Sequence, residues 1–248
     1  MILMYHHVCP AGCVPAESVA LEGWGYRISP EDFRRQLLWF QQRGWKYVSL
    51  ERYIASLEDP RKHDMRNIAV TFDDGWVDNF QYALPILTDL KIQATIFVVS
   101  GEMSGVCPLR RMSEMQLRQL ADCGIEVGSH TRTHPNLPTL SDKSLREELS
   151  GARQDLEQVI NRPVRYLAYP GGRFDRRVVD FVKEAGYEAA CSVIGCGKNS
   201  ERSRYWLYRD VFTEAMDSLK DSVKTHPRLR NLLHWRASLN AHRRLAGK

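Results

Sequence analysis

The amino-acid sequence predicts an α/β fold in a single domain, with parallel strands curled toward a barrel and helices on the outside. Three observations lead there. Short runs of β-branched and apolar residues alternate with amphipathic, capped helical segments, the rhythm of repeated βα units. The charged motifs fall directly after the strand-like runs, and folds of this kind gather reactive groups at the C-terminal strand ends. No internal repeat or low-complexity linker divides the 248 residues, a length suited to one α/β domain.

The elements follow in order. Residues 2–8 form a first apolar strand. A helix begins at Pro30, capped by Ser29, presents Phe33, Leu37, Leu38 and Phe40, and stops at Gly44. Residues 47–50 and 68–72 make short strands, and a helix runs over 80–90. Residues 94–99, ATIFVV, form a strongly β-prone strand. A helix from Ser113 to about Cys123 ends at Gly124, and 125–128 is a short strand. The segment 141–160 is a long helix with Leu145, Leu149, Leu156 and Val159 on its apolar side. Strand 164–169, helix 176–185 with its stop at Gly186, and strands 189–193 and 207–212 complete the series. The stretch from Cys9 to Gly25 is a long loop at the rim.

The composition, 43% hydrophobic and 26% charged, is that of a soluble globular protein. No apolar stretch reaches the roughly 20 residues that span a bilayer. Residues 1–7 lack the charged and apolar regions of a secretory signal. The six cysteines include no paired C-x-x-C set, which argues against a cysteine zinc site and for reduced thiols. A cytoplasmic location is therefore expected. The net charge of +5 is uneven: after Asp221 come seven basic residues (Lys224, Arg228, Arg230, Arg236, Arg243, Arg244, Lys248) and no acidic one. The remainder carries 28 basic against 30 acidic residues. With Leu229, Leu232, Leu233, Trp235 and Leu239, residues 216–248 read as a basic amphipathic helical tail, distinct from the body at 1–215. Such a tail packs on its own domain or contacts an anionic membrane surface. Nucleic-acid binding lacks any aromatic or motif pattern.

The chemistry concentrates in three places. TFDDG, residues 71–75, sets two carboxylates side by side after an apolar run, where like charges repel and burial is costly without compensation. GSHTRTH, residues 128–134, places His130 and His134 four apart after a short strand. Two imidazoles and one carboxylate suit a divalent metal with open positions. One aspartate then binds the cation, whose charge offsets the pair, while the other stays free as a base toward water. Alone, either motif is more often turn chemistry or ordinary histidines; the pairing at strand ends makes the case. The third is AYPGGR, residues 168–173, with backbone N–H groups at the same end that can stabilise an oxyanion, or simply a strand-to-helix turn.

TFDDG, SHTRTHPNL and AYPGGRFD, in this order and spacing, resemble the polysaccharide deacetylase family, the NodB-homology group or carbohydrate esterase family 4. The stretches LADCGIEVGSH and VKEAGYEAA resemble it as well, over roughly residues 1–213. The resemblance implies a distorted (β/α)7-type barrel, a divalent metal that is usually Zn2+, and removal of acetate from an N-acetylated amino sugar. By motif position it makes Asp73 the base, Asp74, His130 and His134 the metal ligands, and the Gly171 N–H an oxyanion donor, with Tyr169 and Pro170 beside the substrate. The chain departs from the family in two respects. Ala168 and Gly171 stand where many members have an arginine and an aromatic, so the partner of Asp73 is one of Arg165, Arg173 and Arg209. The late Leu-x-His histidine has only Leu233-His234 as a counterpart, in the tail. The start, LMYHHV, resembles instead the permuted branch related to poly-N-acetylglucosamine deacetylases, whose Tyr-His strand supplies the acid. That favours His6 over His7; the two cannot both face the site if the strand continues through them, because neighbouring residues of a strand face opposite ways, and His234 is the remaining candidate.

The expected substrate is a lipid-linked or lipopolysaccharide-precursor N-acetylhexosamine, from the expected location and the basic tail, with peripheral contact to the inner face of the membrane. The alternatives are a poly-N-acetylglucosamine or chitin-like oligosaccharide, hydrolysis of another amide C–N bond, and a catalytically silent sugar-binding module. A module that only binds would not need a separate base.

Overall fold

The computed structural model describes residues 1–10, 13, 27–59, 64, 66–103, 111–193 and 199–211. The tail at 216–248, His234, Cys107 and Cys196 lie outside them.

The strands are β1 (Ile2–Tyr5), β2 (His7–Val8), β3 (Arg27–Ile28), β4 (Lys46–Tyr47), β5 (Asn67–Phe72), β6 (Ala94–Val98), β7 (Glu126–Ser129), β8 (Tyr166–Ala168), β9 (Ala189–Cys191) and β10 (Asp210–Val211). One sheet runs in the order β10-β1-β5-β6-β7-β8-β9, with β4 beside β5, and each of its pairings is parallel. Segment 207–211 curls this sheet toward closure. Leu207 exchanges backbone hydrogen bonds with the β9 edge, donating to Ala190 and accepting from Ser192, and three residues later Asp210 pairs with Leu3 of β1. The curled parallel sheet with helices outside is the predicted single α/β domain. One short piece departs from it: β2 pairs with β3 in a separate two-stranded sheet, so the predicted strand over 2–8 breaks at His6.

The helices are α1 (Pro30–Gln42), α2 (Leu50–Glu58), α3 (Leu84–Asp89), α4 (Glu114–Asp122), α5 (Asp142–Arg146), α6 (Ala152–Ile160) and α7 (Arg176–Glu184). Several of their starts are capped, three of them at the serines that open the helices in the sequence. Ser29 accepts from the Asp32 N–H, Ser113 forms a full capping box with Gln116, Ser141 accepts from Ser144 and Asp175 from Val178. In α1, Phe33, Leu37 and Phe40 repeat at helical spacing and are buried against Tyr5 and Phe72 of the sheet. Each such side chain contributes about 1.5–3 kcal/mol. The predicted helix over 141–160 is α5 and α6 joined through a wider turn, Glu147–Gly151, and ended by Asn161 in the left-handed conformation.

Residues 47–50 were expected as a strand; the strand ends at Tyr47, and Ser49 instead caps α2, accepting from the Arg52 N–H. The apolar Tyr53, Ile54 and Leu57 behind it have helical spacing and pack on the sheet. The segment 201–206 coils into a tight helical turn, and within the expected last strand Leu207 makes an isolated bridge to Cys191 before β10 begins at Asp210. Among the described residues Cys9, Cys13, Cys123 and Cys191 are free thiols.

Candidate active site at the C-terminal ends of the strands

Asp73 and Asp74 follow β5, His130 follows β7 and Tyr169 follows β8, so the parallel sheet delivers all three motifs to one end. Asp74, His130 and His134 form a cluster in which one ligand atom from each lies within 4.8 Å of the others. Asp74 Oδ1 is 3.6 Å from His130 Nε2 and 3.7 Å from His134 Nε2. The tautomer of His130 is settled by its other nitrogen: Nδ1 lies 2.8 Å from the Ala168 carbonyl, which can only accept. Nε2 of the neutral ring is then a lone pair facing a carboxylate oxygen. Burial pushes the imidazole down to about 4, outweighing the pull of Asp73 and Asp74 in the other direction. Two acceptors aimed at one point are reconciled by a cation, so the donor set fits a divalent metal, and the Ala168 carbonyl orients the ligand as such outer partners do.

The loop that carries the histidines is braced from α5–α6 and its linking turn. Glu148 accepts from the Arg132 and Thr133 N–H groups, both at 2.9 Å, and Asp155 grips the Arg132 guanidinium at 2.8 Å twice. Thr131 Oγ1 accepts from the His134 N–H. The site contains unusual backbone: Thr131 and His134 on this braced loop, and Asp74 after β5, have φ of 68°, 57° and 76°. Non-glycine residues in that region cost on the order of 1–3 kcal/mol each and persist where the surroundings over-determine them.

Asp73 is buried with Arg209, which donates Nη1 to Oδ1 and Nη2 to Oδ2, both at 2.6 Å. Nη1 also reaches Thr71 Oγ1, and Nε donates to the Ser192 carbonyl. Burial alone would raise the carboxyl; the Arg209 guanidinium outweighs it and holds Asp73 ionised, below its ordinary range. Of the three arginines expected as partners, Arg209 is the one in contact. Arg165 pairs with Glu51 and Glu126 at the opposite end of the sheet. The adjacent carboxylates are compensated separately. Arg209 compensates Asp73. Asp74 is offset by Arg111, whose Nη1 lies 3.3 Å from Oδ1, and by Trp76, whose indole donates to Oδ2 at 3.1 Å; Oδ1 also faces the histidines. Burial would raise the Asp74 carboxyl too, yet the positive charge beside it, Arg111 above all, holds it far below its ordinary value. Arg111 stacks on Trp76, with its guanidinium carbon 3.9 Å from the ring centre, and donates to the Asp74 carbonyl. Neither Arg111 nor Trp76 was foreseen; the tryptophan directly after TFDDG was the available signal.

The histidines at the N-terminus part ways. His7 is buried, its Nδ1 2.6 Å from Asp78 Oδ2 and its ring tilted over Trp76 at 4.5 Å. His6 is the one coupled to the two carboxylates. Burial lowers its imidazole below the ordinary value, against the opposing pull of Asp73 and Asp74.

Tyr169 is a correction. Its side chain is fully buried, stacked on Phe174 at 4.8 Å, and its hydroxyl donates to the Tyr205 carbonyl at 2.8 Å, so it packs the core and does not face substrate. Pro170 opens a tight turn in which the Gly171 and Gly172 φ angles are 56° and 65°. A Cβ on Gly172 would sit 2.9 Å from the backbone nitrogen of Val193, so glycine is required there for space as well as conformation. The Gly171 N–H donates no hydrogen bond among the described residues.

Comparison with known proteins bears on the family and the fold. The family described as polysaccharide deacetylase matches residues 61–190. The poly-beta-1,6-N-acetyl-D-glucosamine N-deacetylase of Staphylococcus aureus is 22% identical over 210 residues, covering 80% of this chain and 71% of that one. The Streptococcus pyogenes deacetylase PplD, solved with acetate, superposes with a TM-score of 0.79 at 22% identity, over 91% of this chain and 97% of that one. A polysaccharide deacetylase from Bacillus cereus superposes with a TM-score of 0.73 at 26% identity, over 90% of this chain and 68% of that one. The chain belongs to the polysaccharide deacetylase family, in the branch that resembles the poly-N-acetylglucosamine deacetylases.

Proposed function

We propose that this chain is a divalent-metal-dependent N-deacetylase of an N-acetylated amino sugar, with zinc as the metal. The observation that carries the reading is the convergence of Asp74 Oδ1 with the Nε2 atoms of His130 and His134 beside a separately held, ionised Asp73. A cation held there supplies Lewis acidity to an acetamide carbonyl and to water. Asp73 takes a proton from the attacking water as the new C–O bond forms. The Gly171 N–H donates to the developing oxyanion. His6, protonated, gives its proton to the amine nitrogen as the C–N bond breaks. The products are acetate and a free amino sugar. Arg209 keeps Asp73 charged and aimed despite burial.

The S. aureus relative supports a β-1,6-linked N-acetylglucosamine oligomer as the substrate. A lipid-linked N-acetylhexosamine is the second reading. It is carried by the run of seven basic and no acidic residues after Asp221, which suits a tail at 216–248 resting on an anionic membrane from the cytoplasmic side. The test is acetate release from N-acetylglucosamine oligomers, nucleotide-linked and polyprenyl-phosphate-linked N-acetylhexosamines, with zinc and after chelation. Zinc-dependent release from oligomers favours the polymer, and release from the lipid-linked sugar alone favours the second reading. Release that survives chelation, or none from any arm, removes the proposed function.

A further inference from the structure

The chain changes sheets at His6. Tyr5 still belongs to the large sheet, its carbonyl accepting from the Asp73 N–H at 3.0 Å, whereas His7 and Val8 pair with β3. No strand ladder runs through His6 itself. Two side chains just beyond TFDDG hold the backbone around it. Asn79 Nδ2 donates to the His6 carbonyl at 2.7 Å and to Asp78 Oδ1 at 2.9 Å. Asp78 accepts from the Val8 N–H at 3.2 Å and lies 2.6 Å from His7 Nδ1. Residues 6, 7 and 8 are thus each tied to one dipeptide at the start of the helical segment that follows Asp73 and Asp74.

Two features argue against mere packing. Both of the atoms that Asn79 Nδ2 meets are pure acceptors, so the amide orientation is chemically forced. Its Oδ1 is then buried with no hydrogen-bond partner among the described residues. Such an orphaned oxygen costs on the order of 1–3 kcal/mol, which an apolar side chain would avoid. The amide is retained for what its nitrogen holds. We propose that Asp78 and Asn79 are a positioning pair that fixes the His6 backbone relative to Asp73 and the metal ligands, so that the imidazole meets the departing amine. This rests on the reading of His6 as the acid.

Proton donation matters for an amine leaving group and not for 4-nitrophenolate. The test therefore compares turnover of an N-acetylglucosamine oligomer with that of 4-nitrophenyl acetate, together with bound zinc, in the full chain. Asn79→Ala should lower the amide-to-ester ratio by about 10- to 100-fold with zinc content unchanged, because small misplacements of a reacting group cost that much. Asp78→Asn, nearly isosteric, should move the ratio the same way and serves if the alanine variant folds poorly. His6→Ala should lower the ratio further, and combining it with Asn79→Ala should add nothing. Equal loss of both activities, loss of zinc, or additive effects in the double variant would make the pair structural and overturn the proposal. An unchanged ratio in His6→Ala would remove the acid assignment itself and the positioning role with it. A lowered ratio in His6→Ala with none in Asn79→Ala and Asp78→Asn would remove the positioning role alone.

Discussion

Both ends of the sheet carry an arginine among carboxylates, and they are not alike. At the N-terminal ends of the strands, Arg165 meets Glu51 at 2.6 Å and Glu126 at 3.1 Å, with side chains 30%, 57% and 23% exposed. At the C-terminal ends, Arg209 meets Asp73 with two bonds of 2.6 Å, at 0% and 1% exposure. Water screens the first cluster, so its net worth is small. The second cannot be screened: removing one partner leaves a bare charge in the interior. Each carboxylate of the N-terminal cluster also meets a donor, Glu51 from Arg165 and Glu126 from Arg165 and Thr95, whereas the C-terminal end leaves a carboxylate oxygen and an imidazole lone pair facing each other at 3.6 Å. The difference teaches where ligand chemistry belongs. Charge compensated within the protein is architecture, and acceptors left converging are a binding site.

The largest expected effect is at those acceptors. His130→Ala should abolish bound zinc, measured by metal analysis, and reduce acetate release to background; full zinc content would discard the cluster as the metal site. Next, Asp73→Asn should keep zinc but lower kcat by about 10²- to 10⁴-fold, the range for a lost general base. Wild-type turnover would exclude Asp73 as the base.

The two arginines test the comparison directly. Arg209→Met should remove about 3–5 kcal/mol of stability, since Asp73 stays buried without its partner. Chemical denaturation reads this, and a loss below about 1 kcal/mol would mean that water enters the C-terminal end. Arg209→Lys keeps the charge but not the fork, and should retain more stability than the methionine while lowering kcat. Smallest of all, Arg165→Ala should cost about 1 kcal/mol or less and leave kcat/KM unchanged. A large loss of activity there would erase the distinction between the two ends.

Much of this was legible in the sequence, and the pattern of what was not is physical. Alternating βα segments, serine caps and apolar spacing specified the class of fold and most helices, because those signals are local. The same holds for Asp73–Asp74 and the histidines four apart: each pair directly follows one strand, and the parallel arrangement then sends them to the same end. What the sequence could not choose was set by contacts distant along the chain. Arg209 is 136 residues from Asp73, and only the curling of 207–211 between β9 and β1 brings them together over Arg165 and Arg173. His6 and His7 are chemically identical neighbours, and the sheet change at His6, with Asp78 claiming His7, tells them apart. Tyr169 looked like a site residue from its place in the motif, yet tertiary packing turned it onto Phe174. By itself the sequence determined the fold class, the strand-end motifs and the kinds of ligand they offer. The tertiary structure decided which charged partner each one meets, because a side chain's environment is made by residues far away in the chain.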